Sequence, residues 1–191
     1  MKISTELIEQ LGLDKTITLD HIPNIDLYMD QVIQLFENTY GETKRSDTDK
    51  VLTKTMINNY AKAKVFFPIK NKKYSKEHLI LISMIYQLKG ALSINDIKTT
   101  LEGINEKTVN KDIDLEAFYS SYLQLSEKNV ESFKAEVSTQ AFEVKKEVVN
   151  LEVEDQDYLE QVMLISTLVS TSNLYRRLAE KLIDELETKE V

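Results

Sequence analysis

Apolar residues recur at helical spacing along most of the chain. Ile25, Tyr28, Val32, Leu35 and Phe36 predict a first helix from Asn24 to Tyr40. The polar stretch GETKRSDTD that follows, residues 41–49, reads as a loop. Thr53 is placed to cap a short helix from Lys54 to about Lys64 that buries Met56, Tyr60 and Ala63. Pro68 disfavours helix at the residue before it, so Val65, Phe66 and Phe67 lead into an extended stretch, PIKNKKY, that suits a small β-hairpin. Ser75 opens a helix through Lys89 with Leu79, Ile82, Ile85, Tyr86 and Leu88 as its buried stripe, and Gly90 stops it. Ser93 with Asp96 forms a capping box for a further helix ending at Gly103.

Helical period returns from Leu115 to Leu125 and from Val130 to Val149, and a long helix is expected from Asp155 to Leu186. The first half of that helix holds Tyr158, Leu159, Val162, Met163, Ile165, Leu168 and Val169. It is too apolar to face water around its circumference and must be buried against something. Ser170 to Asn173 interrupt it, and Ser172 and Arg176 break a regular heptad.

Composition supports helices over strands. Only four Gly and two Pro occur in 191 residues of which 42% are hydrophobic. The expected fold is all-α with a small β-hairpin wing. Three segments are expected: an N-terminal arm (1–24), a winged helix-turn-helix (25–103) and an α-helical region (104–191). The absence of cysteine excludes disulfides, thiolate metal sites and a cysteine nucleophile. The start MKISTELIEQ carries acids where a signal peptide needs a basic region, and no run reaches eighteen apolar residues. A cytoplasmic protein without a membrane partner is expected.

Charge changes the picture. The net charge of -8 divides into -5 over residues 1–40, +7 over residues 41–100 and -10 over residues 101–191. The middle is a basic island, with twelve Lys or Arg against five acids. Such an island suits contact with phosphates, because cations near a nucleic-acid backbone release condensed counterions; a solvated lysine-rich surface is the competing reading.

Catalytic apparatus is not visible. His21 and His78 lie far apart with no metal-ligand spacing, and both read as surface histidines. No glycine-rich phosphate loop, nucleophile elbow or triad-like arrangement occurs, so neither an enzyme nor a bound cofactor or metal is expected.

The segment TMINNYAKAKVFFPIKNKKYSKEHLILISMIYQLKGALSINDIKTTL resembles the MerR pattern of recognition helix, apolar exit, basic wing and following helices. Tyr60 falls on the second helix tyrosine, Val65, Phe66 and Pro68 on the exit, and Lys72 and Tyr74 on the wing. Leu92, Ser93, Ile94 and Ile97 fall on the last helix start. Met56 and Asn58 depart from the usual Thr and Arg, and Lys64 stands where Gly is usual. The strings IDLYMDQV, LTKTMINNYAK and KKYSKEHL are also similar to the domain of unknown function 1836 family, over roughly Ile25 to Gly103.

The MerR resemblance implies double-stranded DNA as partner and a homodimer with an unidentified effector. The spacing from Thr53 turns Lys54, Thr55, Asn58, Asn59 and Lys62 outward. An exposed Asn can contact adenine in the major groove, while Lys and Thr hold phosphate oxygens. Lys70, Lys72 and Lys73 on the wing reach a neighbouring phosphate or the minor groove in this reading. Two competing readings stand beside it. Asn58 and Asn59 solvate or cap a short helix, or the fold serves protein interaction without DNA. Val65, Phe66, Phe67, Tyr74 and Tyr86 read as core.

Overall fold

The computed structural model describes residues 5–151 and 154–188. Its elements in order are α1 (Thr5–Glu9), β1 (Leu27–Tyr28), α2 (Met29–Tyr40), α3 (Lys54–Lys62), β2 (Lys73–Tyr74), α4 (Lys76–Leu88), α5 (Ile94–Asn110), α6 (Leu115–Val149) and α7 (Gln156–Thr188). Short 3-10 turns occupy Leu19–His21 and Gly41–Thr43. The fold is all-α with one small antiparallel β pairing, as the patterning predicts. Among the described residues, no helix is long and apolar enough to cross a membrane.

The chain divides into two compact units, Lys15–Gln124 with Glu180–Val191, and Met1–Asp14 with Leu125–Ala179. The larger is organised by α4, whose residues from Leu79 to Ile85 are all buried. A helix apolar on every side has to be central, so neighbours cover it all round where one buried stripe was expected. Phe36 and Tyr40 of α2 bring their rings against Tyr86, with Tyr40 stacked on it at 4.3 Å between centroids. Ile17 and Ile22, from the segment read as an N-terminal arm, belong to this core, as do Leu115 and Tyr119 of α6. In the smaller unit, Val144 and Val148 of α6 pack on Leu164 of α7, with Leu159, Met163 and Leu168 partly buried around them.

Several boundaries differ from the pattern reading. The first helix starts at Met29; Ile25 before it is exposed, and Leu27 and Tyr28 form a short strand with Leu27 buried and Tyr28 exposed. That alternation is the two-residue period of a strand. β1 uses its backbone to pair with β2, Leu27 opposite Tyr74 and Tyr28 opposite Lys73. The hairpin expected within 68–74 is thus reduced to one bridge, Lys70 to Lys73, and the strand's main partner comes from far away in sequence.

α5 runs through Gly103 to Asn110 and ends on left-handed Lys111 (φ 64°). Gly103 faces open space in mid-helix, and further packing and capping outweigh its weak helix propensity. α6 is one helix where two segments were expected, and α7 passes uninterrupted through Ser170 to Asn173. Burial of the apolar half of α7 is one-sided: Tyr158, Val162, Ile165 and Val169 remain exposed.

Candidate nucleic-acid interface

α3 begins as its sequence dictates. The Thr53 hydroxyl oxygen accepts from the Met56 N–H at 3.1 Å, supplying one of the partners that a helix start lacks. Ile57 and Tyr60 face the core, with Met56 and Ala63 at its margin. Ile57, fully buried, is the anchor that the pattern reading passed over. Lys54, Thr55, Asn58, Asn59 and Lys62 are all exposed, and their three- and four-residue spacing sets ammonium, hydroxyl and amide groups along the solvent side of one short helix.

The helix ends in a Schellman motif. The Val65 N–H donates to the Tyr60 carbonyl at 3.0 Å and the Lys64 N–H to the Ala61 carbonyl at 3.1 Å. This geometry requires Lys64 in the left-handed region, at φ 57°. Glycine suits that position best, so lysine there costs backbone energy.

A second left-handed pair follows. Asn71 and Lys72 have φ of 53° and 59°, and the Lys73 N–H donates to the Lys70 carbonyl at 2.9 Å, which defines a tight type I′ turn. Lys70 and Lys72 are exposed on it and Lys73 is half-buried. Lysine again occupies a place where glycine is favoured.

The start of α2 links the two groups. Lys73 Nζ lies 5.1 Å from the centroid of the Tyr28 ring, and two residues on, Asp30 forms an ion pair with Lys54 at 2.7 Å. The Gln31 side chain accepts from the Tyr28 N–H at 2.8 Å and fixes this helix start. Tyr28 and Asp30 carried no local signal for this role, because their partners lie far along the chain.

The segment between helix and turn is latched from two sides. The Asn105 side chain accepts from the Phe67 N–H and donates to the Val65 and Leu101 carbonyls, each at 2.9 Å. His78 is buried against Phe66, Phe67 and Tyr74, which corrects its reading as a surface residue. Its Nδ1 accepts from the Ser75 N–H at 3.1 Å, so Nε2 carries the proton donated to the Phe67 carbonyl at 3.1 Å. Burial, the largest cause, holds its pKa below the usual value, with the Phe67 carbonyl and Glu77 opposing.

Not every cation of the basic island faces outward for use. Lys44 pairs with Glu37 at 2.6 Å, Lys76 with Glu116 at 2.7 Å, and Lys98 with Glu102 at 4.0 Å. Lys89 donates to the Val51 carbonyl at 2.7 Å and covers the Tyr86 ring, with burial holding its pKa down. These residues serve the fold, while the cations of α3 and of the turn are outward, with Lys54 paired to Asp30, and Arg45, Lys50 and Lys64 are exposed as well.

A family model described as a domain of unknown function (DUF1836) matches residues 17–122. No curated protein and no solved structure matches the chain.

Proposed function

The chain belongs to the domain of unknown function 1836 family, and from that premise we propose that it is a cytoplasmic DNA-binding transcriptional regulator of MerR-like type. In this reading α3 enters the major groove, the Lys70–Lys73 turn lies on the backbone as a wing, and two copies act together on adjacent half-sites. A single module of this size covers too little DNA for strong specificity, which is the reason for pairing.

One observation carries the reading: the exposed cations, amides and hydroxyls of α3 stand beside a tight turn that presents Lys70 and Lys72, and lysine occupies the left-handed positions 64 and 72 that flank the segment between them, as it also does at Lys111 at the end of α5. Backbone strain at the turn and at the helix exit accompanies positive charge placed beside an exposed row of amides and hydroxyls. The rival reading, a protein-interaction module, draws on the acidic balance of the rest of the chain and on Asp30 within the same surface.

Fluorescence anisotropy with random-sequence duplex across a salt series separates them. Regulatory DNA binding predicts steep salt weakening, and replacement of Lys70, Lys72 and Lys73 by alanine lowers the log–log slope by about two to three. Absence of binding at low salt rejects the DNA reading and leaves the interaction module.

A further inference from the structure

A cavity of about 790 Å³ lies within the larger unit, between the segment from Phe67 to His78 and the junction of α5 with α6. Its volume is in the range of sites for small organic molecules. Phe67, Pro68, Val109 and Ile113 line it with hydrocarbon, and Val109 is 58% exposed. The wall at Phe67 is set in advance, because Asn105 accepts from its backbone N–H and His78 donates to its carbonyl.

Three cations reach the same cavity from two directions, Lys70 and Lys73 from the type I′ turn and Lys111 from the end of α5. Among the described residues, none of the three is held in an ion pair. Four carboxylates line the cavity as well, and three of them are already compensated. Glu116 pairs with Lys76 at 2.7 Å, Asp114 accepts from the Ala117 N–H at 3.0 Å, and Glu77 accepts from the Ser75 hydroxyl. Each also stands at the start of α4 or α6, where the helix dipole offsets negative charge. Of the four, only Asp26 lacks such a partner, so positive charge is in excess.

We propose that this cavity binds a small amphipathic acid, with an apolar or aromatic body against Phe67, Val109 and Ile113 and a carboxylate among Lys70, Lys73 and Lys111. An ammonium in that place meets three like charges, and a neutral group takes water from the lysines without replacing it. The site does not rest on the DNA reading, but one consequence does. Lys70 and Lys73 are also the cations of the proposed wing, so acid and duplex compete for them and each weakens the other.

Isothermal titration calorimetry of the full chain at low salt tests the site with three probes of similar shape: naphthoate, naphthylmethanol and naphthylmethylammonium. Naphthoate is expected to bind at least about ten-fold tighter than either of the others, through charge-assisted contacts. Lys111→Glu and Val109→Asp substitute exposed residues, so folding, checked by circular dichroism, is retained. Each is expected to weaken naphthoate binding by about ten-fold. Lys128→Glu, exposed on α6 outside the cavity, controls for a general charge effect and is expected to leave affinity within about two-fold. Probes that bind alike, no naphthoate binding up to millimolar concentration, full affinity in Lys111→Glu or Val109→Asp, or an equal loss in Lys128→Glu overturns the site. Competition is scored separately by duplex anisotropy, against acetate of equal ionic strength. Naphthoate at about ten times its own Kd is expected to weaken duplex binding about ten-fold. A chain that binds naphthoate but no duplex keeps the site and rejects the DNA reading. Binding of both without mutual weakening overturns the sharing of Lys70 and Lys73.

Discussion

The Tyr119 hydroxyl donates to the Ile17 carbonyl oxygen at 2.6 Å, a buried contact across 102 residues of sequence. It fastens the segment before β1 to the first turns of α6, and burial pushes the phenol pKa well above its ordinary value. Tyr119→Phe keeps the ring and leaves a buried carbonyl unpaired. A loss of about 1–3 kcal/mol is expected from urea unfolding, with duplex binding unchanged at temperatures where the protein is folded.

Lys72 separates stability from binding. Lys72→Gly removes an unfavourable left-handed lysine from the type I′ turn, and chemical denaturation should show a gain of up to about 1 kcal/mol. The proposed interface loses one cation, so duplex affinity falls and the salt slope drops by about one. A variant that is more stable and binds equally well argues against a wing on the backbone.

Asp30 sits among the cations that the proposal directs toward phosphate, in an exposed pair with Lys54. Such a pair contributes under about 1 kcal/mol to folding. Asp30→Asn removes a charge that repels DNA and frees Lys54, so affinity for duplex rises by about two- to five-fold at low salt and less at high salt. The interaction-module reading expects no change.

His78 makes the latch pH-dependent. Its folded pKa is depressed below the ordinary 6.5, so above that value the residue is neutral in both states and its contacts are fully present. As pH falls below 6.5 the unfolded chain binds a proton that the buried ring resists, and stability declines. Glu77 and Asp26, which face the ring, favour the proton and limit the decline. Thermal melts between pH 5 and 8 should show a plateau above pH 7 and a falling limb below, and His78→Asn should flatten that limb at the cost of a lower plateau. A limb unchanged in the variant assigns it to other groups.

Features whose determinants sit within one turn of chain were legible without the structure. The Thr53 cap, the Ser93 and Asp96 box, and the outward row from Lys54 to Lys62 each follow from residues three or four apart. Gly103 shows the limit of this logic. A glycine after a helical pattern reads as a stop, yet Asn105 downstream anchors the Val65–Phe67 segment and α5 continues.

The sequence by itself determined that the chain is helical, where most helices begin, which segment carries positive charge and which side of α3 meets water. These follow from local propensity, capping and hydrophobic period. Tertiary structure alone decided that β2 pairs with Leu27 and Tyr28, that His78 and Asn105 hold the exit from α3, that Tyr119 closes on Ile17, and which apolar residues of α7 stay exposed. The strand pairing, the Asn105 latch and the Tyr119 contact join groups tens of residues apart. Their energies depend on burial and hydrogen-bond geometry that exist only once the elements have come together.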